Sequence, residues 1–282
     1  MVSMFKKITF TLIFFLPSLA FPFEPFLTDD SGTVEKGKNM IEMYYFGVLE
    51  KADPNGPIDV NLPGEEFLGS ERATVAPLNY TRGITENLEA GIGLSYYGLP
   101  TGNYSPFANY VISAKYRFYG APEEGLSFAV KPSLTLGHSS AQQEAGIGMA
   151  LPGFGINAIG TYAQKNYAVF FNFAYQHQPY NTNYLVGGGS EDLRTDIYQL
   201  SVAPLWKLSS KLHLGVDLGV VSNIVLASPN NYNYFIMPAF IYTPIPDLDI
   251  GMSYLRVSSS YGEELRNGPF TSTFKAGITF RF

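Results

Sequence analysis

Apolar and polar residues alternate along most of the chain. Every second residue from position 274 to position 282 is apolar, and charged residues occupy the opposite face. The segments at 126–136 and 212–220 alternate in the same way. Because successive side chains of a β-strand point to opposite faces, this spacing predicts strands with one apolar and one polar face.

About twelve such segments have lengths near the roughly 9–11 residues that a tilted membrane strand needs. They are predicted at 39–49, 71–81, 88–98, 107–119, 126–136, 154–164, 167–178, 194–207, 212–222, 232–242, 248–257 and 271–282. In 154–164 and 232–242 the alternation does not identify the apolar face. Charged residues in mid-strand must contact water or a partner, so the polar face is expected to point inward and the apolar face outward.

Short and long connections alternate between these segments. The short ones are 83–87, 120–125, 164–166, 208–211 and 243–247. The long ones are 51–70, 99–106, 137–153, 179–192, 223–231 and 258–270. Outer-membrane barrels have short periplasmic turns and long external loops. The sequence therefore predicts an all-β fold, a single transmembrane antiparallel β-barrel of about twelve strands that occupies residues 39–282.

The first residues have the form of a secretory signal peptide. Lys6 and Lys7 precede a short apolar stretch at 8–16, and the small residues Ser18 and Ala20 mark a cut after position 20. We therefore expect a signal peptide at 1–20, export to the bacterial outer membrane, and a mature N-terminal segment at 21–38 on the periplasmic side.

Composition narrows the class further. The chain has 22 Phe, 20 Tyr, 28 Gly and no Cys, and its net charge is −6. Aromatic residues favour strands, and the missing cysteines exclude disulfides and thiolate metal sites. The negative charge argues against a nucleic-acid partner. No pattern for a cofactor is found.

The polar face carries charges of both signs that are expected to line the lumen. The candidates are Glu42, Glu89, Lys115, Arg117, Lys131, Asp217, Asp249, Lys275 and Arg281. Such charges can filter ions or form structural ion pairs that brace the interior. Aromatic residues in the loops and lumen could strip water from an apolar solute, and the candidates are Tyr97, Tyr104, Phe107, Tyr119, Tyr180 and Tyr184.

The segment at 21–38 is predicted to narrow the barrel opening. It carries Asp29 and Asp30, and barrel closure places its end beside the last strand, which carries Lys275 and Arg281. Opposite charges attract more strongly at a mouth of low dielectric constant than in bulk water. The segment is therefore expected to use Asp29 or Asp30 against a basic lumen residue. The alternative is a solvated tail, because chain termini are commonly disordered.

An enzyme and a metal site find little support. His138 is followed by Ser139 and Ser140, but neighbours in sequence seldom form a catalytic triad. His177 is expected in the aromatic girdle and His213 in the lumen. The stretch 29–32 (Asp-Asp-Ser-Gly) resembles part of a calcium loop but lacks its later acidic ligands.

Two stretches resemble a known family. They are Pro-Phe-Leu-Thr-Asp-Asp-Ser-Gly-Thr-Val-Glu-Lys-Gly-Lys at 25–38 and Ala-Pro-Leu-Asn-Tyr-Thr-Arg-Gly-Ile-Thr-Glu-Asn-Leu-Glu at 76–89. Together they resemble the outer-membrane family named after the meta-pathway of phenol degradation, whose members are described as transporters. The resemblance implies passage of small apolar or aromatic compounds and transfers no catalytic residue. The C-terminal Phe280 and Phe282 resemble the signal that the barrel-assembly machinery recognises in its clients.

These observations lead to an expected function and two alternatives. We expect a channel in contact with outer-membrane lipids that takes up small hydrophobic or aromatic compounds passively. A structural or adhesive surface barrel with a plugged lumen is the alternative from a different class. An outer-membrane lipid hydrolase that uses His138 is the less favoured third.

Overall fold

A computed structural model describes residues 25–51, 74–99, 101–179, 196–224, 232–259 and 270–282. It contains twelve strands: β1 Asn39–Lys51, β2 Thr74–Thr85, β3 Leu88–Leu99, β4 Phe107–Ala121, β5 Glu124–Thr135, β6 Gly153–Ala163, β7 Tyr167–His177, β8 Asp196–Lys207, β9 Leu212–Ile224, β10 Tyr232–Ile245, β11 Leu248–Ser259 and β12 Phe270–Arg281. One short helix, α1 Ser140–Glu144, lies between β5 and β6. The predicted signal peptide lies outside the described residues.

The strands form one closed antiparallel barrel in which each strand pairs with its neighbours in sequence. Closure comes from β1 and β12, which pair from Met40 opposite Arg281 to Lys51 opposite Thr271. Closing a sheet removes the unpaired strand edges, which a membrane would otherwise leave without hydrogen-bond partners. The structure therefore confirms the predicted fold class and strand number.

The barrel has two different ends. Both termini of the barrel and all the short turns lie at one end, which we call the short-turn end, and the longer connections lie at the long-loop end. Three of the turns are tighter than predicted, because β2, β4 and β10 continue to two-residue turns at 86–87, 122–123 and 246–247. Gly120 and Gly125 flank one of them with positive φ angles of 72° and 81°, a conformation that glycine adopts without strain.

Side chains alternate between an apolar outer surface and a buried interior, as the sequence predicts. On β12, Ile278 and Phe280 point outward while Lys275 and Thr279 are buried. The ambiguous strand β10 is apolar on both faces, since Phe235 and Met237 fill the interior while Ile236 faces outward. Because β10 has no polar face, its sequence pattern did not show which side chains point inward.

The connection from β5 to β6 is not the simple external loop that its sequence suggested. It contains α1, which begins with a capping box in which the Ser139 hydroxyl accepts from the Gln142 backbone N–H. Gln143, Ile147 and Met149 of this connection are buried, and Ile147 packs against inward-facing side chains, so the connection folds into the long-loop end of the lumen. No helix in the described ranges is long and apolar enough to cross a membrane.

Candidate functional site: the lumen and its N-terminal segment

Residues 25–38, which we call the lumen segment, run through the inside of the barrel before they join β1. Residues 25–34 are buried apart from the half-buried Leu27, and residues 35–38 are exposed. The segment leaves the lumen at the short-turn end, where the Asn39 N–H donates to the Phe282 carbonyl at 2.7 Å. Its path through the interior differs from that of a solvated tail.

Asp217 of β9 holds the inner part of the lumen segment. Its carboxylate accepts from the backbone N–H groups of Leu27 at 2.7 Å and Thr28 at 2.8 Å, and from the Thr28 hydroxyl at 2.6 Å. Asp217 is fully buried, and hydrogen bonds to a charged group contribute about 1.5–3 kcal/mol each. These contacts fix the direction in which the segment crosses the lumen.

Further strands bind the segment beyond Thr28. Asn172 of β7 accepts from the Asp29 N–H at 2.6 Å and donates through its amide to the Asp29 carbonyl at 2.7 Å. The Ser31 hydroxyl lies 2.5 Å from that of Ser127 on β5, and the Glu89 carboxylate on β3 accepts from the Val34 N–H at 2.6 Å. The segment therefore crosses from β9 to β3 with hydrogen bonds to the wall along its length.

An ion-pair network lies at the centre of this path. The Asp29 carboxylate is 3.1 Å from the Lys115 ammonium and 2.8 Å from the Lys131 ammonium. Lys115 also lies 3.3 Å from Glu89, its partner in the β3–β4 register, and 3.9 Å from Asp30. The two lysines thus share the carboxylate of Asp29, so that basic residues of the wall pair with an acidic residue of the lumen segment.

The two adjacent acids of the segment have opposite pKa shifts. Burial favours the neutral form of Asp29, but Lys115 and Lys131 outweigh it and lower the pKa of Asp29 to about 2. Burial raises the pKa of Asp30 to about 7, only partly opposed by Lys115 and reinforced by Asp29. Asp29 is therefore ionised at neutral pH, and Asp30 titrates near it.

Gly83 lets the segment leave the lumen close to the wall. A Cβ atom at Gly83 would lie 2.1 Å from the Glu35 carbonyl oxygen and 2.3 Å from that of Val34. The Gly83 carbonyl accepts from the Gly37 N–H at 2.9 Å. Since a backbone carbonyl cannot yield that space, any other residue at position 83 would displace the segment.

A cavity of about 340 Å³ remains beside the segment. Its charged lining residues are Asp29, Glu42 and Lys131. Amides and hydroxyls dominate the rest of the polar lining: Asn79, Thr81, Ser113, Ser133, Thr135, Asn157, Gln176 and Gln199. Leu27 and Ile197 contribute apolar surface. The cavity has the size of a small-molecule site.

The opposite half of the lumen is filled by apolar side chains. Phe26 of the segment packs there against residues of β6 to β11, including Phe170, Leu205 and Met237. Each of these four residues is at most 4% exposed. This packing adds an apolar contact to the hydrogen bonds that hold the segment, and the cavity of about 340 Å³ lies on the other, polar side.

The long-loop end carries a second buried cluster. Tyr44, Phe46 and Tyr97 pack against Ile147 from the connection that contains α1, and Tyr104 packs at its edge. Two hydrogen bonds of its side chains tie this connection to β4, one from the Gln142 amide to the Phe107 carbonyl at 2.8 Å and one between Asn109 and His138. The His138 Nε2 accepts from the Asn109 N–H at 2.9 Å, and burial lowers the pKa of His138, which favours the neutral ring that can accept.

This geometry gives structural roles to the residues considered for hydrolysis and for metal binding. His138 accepts from the backbone, and Ser139 caps α1. Asp29 faces lysines instead of other acidic groups. His213 is buried in the lumen, and His177 lies on the outer wall 3.0 Å from Asp196 and beside Phe154.

Two other predicted lumen charges have contacts on the wall. Arg281 pairs with Asp249 at 2.6 Å, and Lys275 lies 4.6 Å from the Phe46 ring centroid. The lumen bases that form the ion pairs with Asp29 and Asp30 are Lys115 of β4 and Lys131 of β5. Arg117 lies at the short-turn rim, where it donates to the Glu86 carbonyl at 2.7 Å, and is not a cavity residue.

The aromatic candidates divide between the two faces. Tyr97 and Tyr104 belong to the cluster at the long-loop end. Phe107 and Tyr119 were expected to contact a solute, but they face outward, with 43% and 59% of their surface exposed. Tyr180 and Tyr184 lie outside the described residues. Outward aromatic residues near the strand ends are typical of the girdles of membrane barrels.

Several site residues were missed by sequence reasoning. Thr28 and Asn172 carry no motif, although Asn172 is a polar residue within the apolar run of β7. The Ser139-x-x-Gln142 spacing is a capping-box signal for α1 that was present in the sequence.

The barrel is similar in fold to solved outer-membrane proteins. No family model matches the chain, and no curated protein matches it. Among solved structures, an outer-membrane channel from Pseudomonas putida F1 has a TM-score of 0.62 at 12% identity, covering 90% of this chain and 98% of that one. The NanC porin has a TM-score of 0.53 at 8% identity, covering 85% and 98%.

The KdgM porin has a TM-score of 0.52 at 9% identity and covers 86% of this chain and 99% of that one. At these identities the likeness concerns the fold alone. The closed twelve-stranded barrel, with its apolar outside and polar, partly open inside, is the fold of bacterial outer-membrane channels and porins.

Proposed function

We propose that this protein is a passive outer-membrane channel for small hydrophobic or aromatic compounds, in particular uncharged ones that carry a hydroxyl or carbonyl group. The observation that carries the proposal is the cavity of about 340 Å³ between the lumen segment and β1 to β8. Its amides and hydroxyls can bind the polar group of such a solute, and Leu27 and Ile197 can contact its apolar part.

Two further observations support this choice of solute. Tyr104, half-buried at the edge of the cluster at the long-loop end, supplies aromatic surface near the mouth, and rings stack on such surfaces. The resemblance of 25–38 and 76–89 to the family named after phenol degradation agrees with an aromatic solute.

A second candidate is a structural surface barrel with a plugged lumen. The apolar filling around Phe26 and the buried residues of the α1 connection favour it, since both reduce the open cross-section. External loops would then carry the function.

Current recordings separate the two candidates. The purified barrel is inserted into a planar bilayer in KCl, and benzyl alcohol or glycerol is added on the long-loop side. We expect a stepwise conductance that benzyl alcohol interrupts in a concentration-dependent way, with a weaker effect of glycerol. No conductance, either in the whole protein or after deletion of residues 21–36, would contradict the channel and favour the plugged barrel.

A further inference from the structure

The charges that border the cavity come from two sources, the barrel wall and the lumen segment. Lys131 and Glu42 belong to the wall, and Asp29 belongs to the segment. The Lys131 side chain is 37% exposed, whereas that of Asp29 is 11% exposed. Lys131 is therefore the most accessible of these charges to a passing solute. Its electrostatic effect on the solute depends on how well a nearby carboxylate neutralises it.

Asp29 provides that compensation. Its carboxylate uses one oxygen for Lys131 at 2.8 Å and the other for Lys115 at 3.1 Å. Glu89 is 3.3 Å from Lys115 but does not bridge to Lys131 within ion-pair distance in the described structure. With Asp29 absent or neutral, the wall would hold two lysines against Glu89, and the ammonium of Lys131 would face the cavity without its carboxylate.

The backbone of Asp29 is held by contacts that do not involve its side chain. Asn172 binds the backbone N–H and carbonyl of Asp29, and Asp217 binds Leu27 and Thr28. An asparagine at position 29 would keep these contacts and remove only the charge. The lumen thus offers a place where the charge of the passage can be changed without moving the segment.

We propose that the Asp29–Lys131 pair determines the charge selectivity of this channel, so that the docked segment makes the passage favour uncharged solutes over anions. This inference rests on the proposed channel function and deepens it. A positive charge beside a narrow passage raises the local concentration of anions, and low dielectric walls strengthen the effect. Neutralising Asp29 would therefore convert the passage to one that prefers anions, including small aromatic carboxylates.

Reversal potentials in a KCl gradient test the proposal with three variants. Asp29→Asn is expected to shift the permeability ratio severalfold toward chloride. Lys131→Gln is expected to shift it toward potassium, since Asp29 and Glu42 then border the cavity. The double variant Asp29→Asn with Lys131→Gln is expected to return close to the wild-type ratio, because the two charges are removed together.

Matched controls carry the same charge changes outside the lumen. Glu124→Gln and Lys165→Gln alter exposed residues near the short turns, and both should keep the wild-type ratio. Docking of the segment is checked through Ser31→Cys with Ser127→Cys, whose parent hydroxyls are 2.5 Å apart. Oxidation of this pair should trap the docked segment, and the shift caused by Asp29→Asn should persist in the trapped protein.

The possible outcomes are distinct. Conducting variants whose ratios equal that of the wild type would overturn the role of the pair and leave the channel standing. If the shift in permeability ratio caused by Asp29→Asn disappears in the disulfide-trapped protein, the role of the pair is also overturned. The shift would then result from undocking of the lumen segment and not from the lost charge. Failure of every barrel to conduct, including the wild type, would overturn the channel function and this inference with it.

Discussion

The hydroxyl of Thr28 donates a 2.6 Å hydrogen bond to the carboxylate of Asp217 and joins the lumen segment to β9 across 189 residues of sequence. The same carboxylate accepts from the backbone N–H groups of Leu27 and Thr28. One acidic side chain of the wall therefore satisfies three donors of a segment that has no strand of its own.

Asp217→Ala should weaken docking of the segment. A buried donor that loses its acceptor costs about 1–3 kcal/mol, and this change removes the acceptor of the N–H groups of Leu27 and Thr28. The measurement is the yield of the disulfide between cysteines placed at Ser31 and Ser127, which should fall. Asp247→Ala, an exposed turn residue, is the control and should keep the yield. An equal yield in both variants would contradict the role of Asp217.

Deletion of residues 21–36, with the signal peptide retained, should enlarge the conductance or open a closed barrel. The deletion removes Phe26 from the apolar half of the lumen and the Asp29 contacts from the polar half. Single-channel recordings measure the effect, and heat modifiability on a gel verifies folding. Unchanged conductance in a folded deletion variant would show that the segment does not narrow the passage.

Docking should weaken as the pH rises from about 4 to about 7. Asp30 precedes the membrane-spanning strands, and its burial, the largest cause of the shift, raises its pKa from the ordinary value of 3.8 to about 7. Between pH 3.8 and pH 7 the docked Asp30 keeps a proton that the undocked Asp30 has lost. Docking is therefore strongest below pH 3.8, and the stabilisation that it gains from this proton is lost as the pH rises to about 7.

The groups that face Asp30 do not cancel this trend. Asp29 has a pKa of about 2 and stays ionised above pH 4, so its effect on docking does not change between pH 4 and pH 7. Lys115 and Glu89 are the wall charges that act on Asp30. Conductance measured from pH 4.5 to pH 8 (about the range in which Asp30 changes charge) should rise in the wild type and be flatter in Asp30→Asn. Equal slopes in the two proteins would argue against Asp30.

Deletion of Phe282 should lower the yield of folded barrel. Phe282 faces outward beside Phe280, with ring centroids 5.6 Å apart, and its backbone exchanges hydrogen bonds with Asn39 where the barrel closes. A terminal aromatic residue also suits recognition by the assembly machinery. The heat-modifiable fraction in outer membranes measures the effect. Phe282→Tyr keeps the ring and the backbone and should retain the yield, whereas an undiminished yield after deletion would exclude this role.

Protein isolated from outer membranes should begin at Phe21. Removal of residues 1–20 follows from the signal-peptide pattern that ends at Ala20. Mass spectrometry of the intact protein tests this cut, and a mature chain that retains Met1 would contradict the expected export.

The barrel could be predicted from sequence because its determinants are local. Alternation between 274 and 282 places Lys275 inside and Phe280 outside whatever the rest of the chain does, and the structure agrees. The prediction was less complete where a strand is apolar on both faces, as in β10, since alternation needs a polar side. The α1 helix was missed because a five-residue helix is too short to produce a helical period.

The lumen could be predicted only in part. That Asp29 or Asp30 would contact a basic lumen residue follows from charge, but which base it contacts depends on the path of the segment. Arg281, which the β1–β12 pairing places opposite Met40 at the start of β1, is paired with Asp249. Asp29 instead lies between Lys115 and Lys131 because Asp217 and Asn172 direct the segment across the barrel.

Local patterns in the sequence were enough to predict the number of strands, the sorting of short and long connections, and the inward and outward faces of the strands that have one polar side. Each of these depends on residues that are close along the chain, through the two-residue period of a strand and the chemistry of turns. The pairing of the charges, the half of the lumen that is filled and the position of the cavity could be seen only in the folded chain. These features depend on contacts between residues 26–34 and strands that are distant in the sequence, such as Asp29 with Lys115 and Thr28 with Asp217, and no local pattern encodes them.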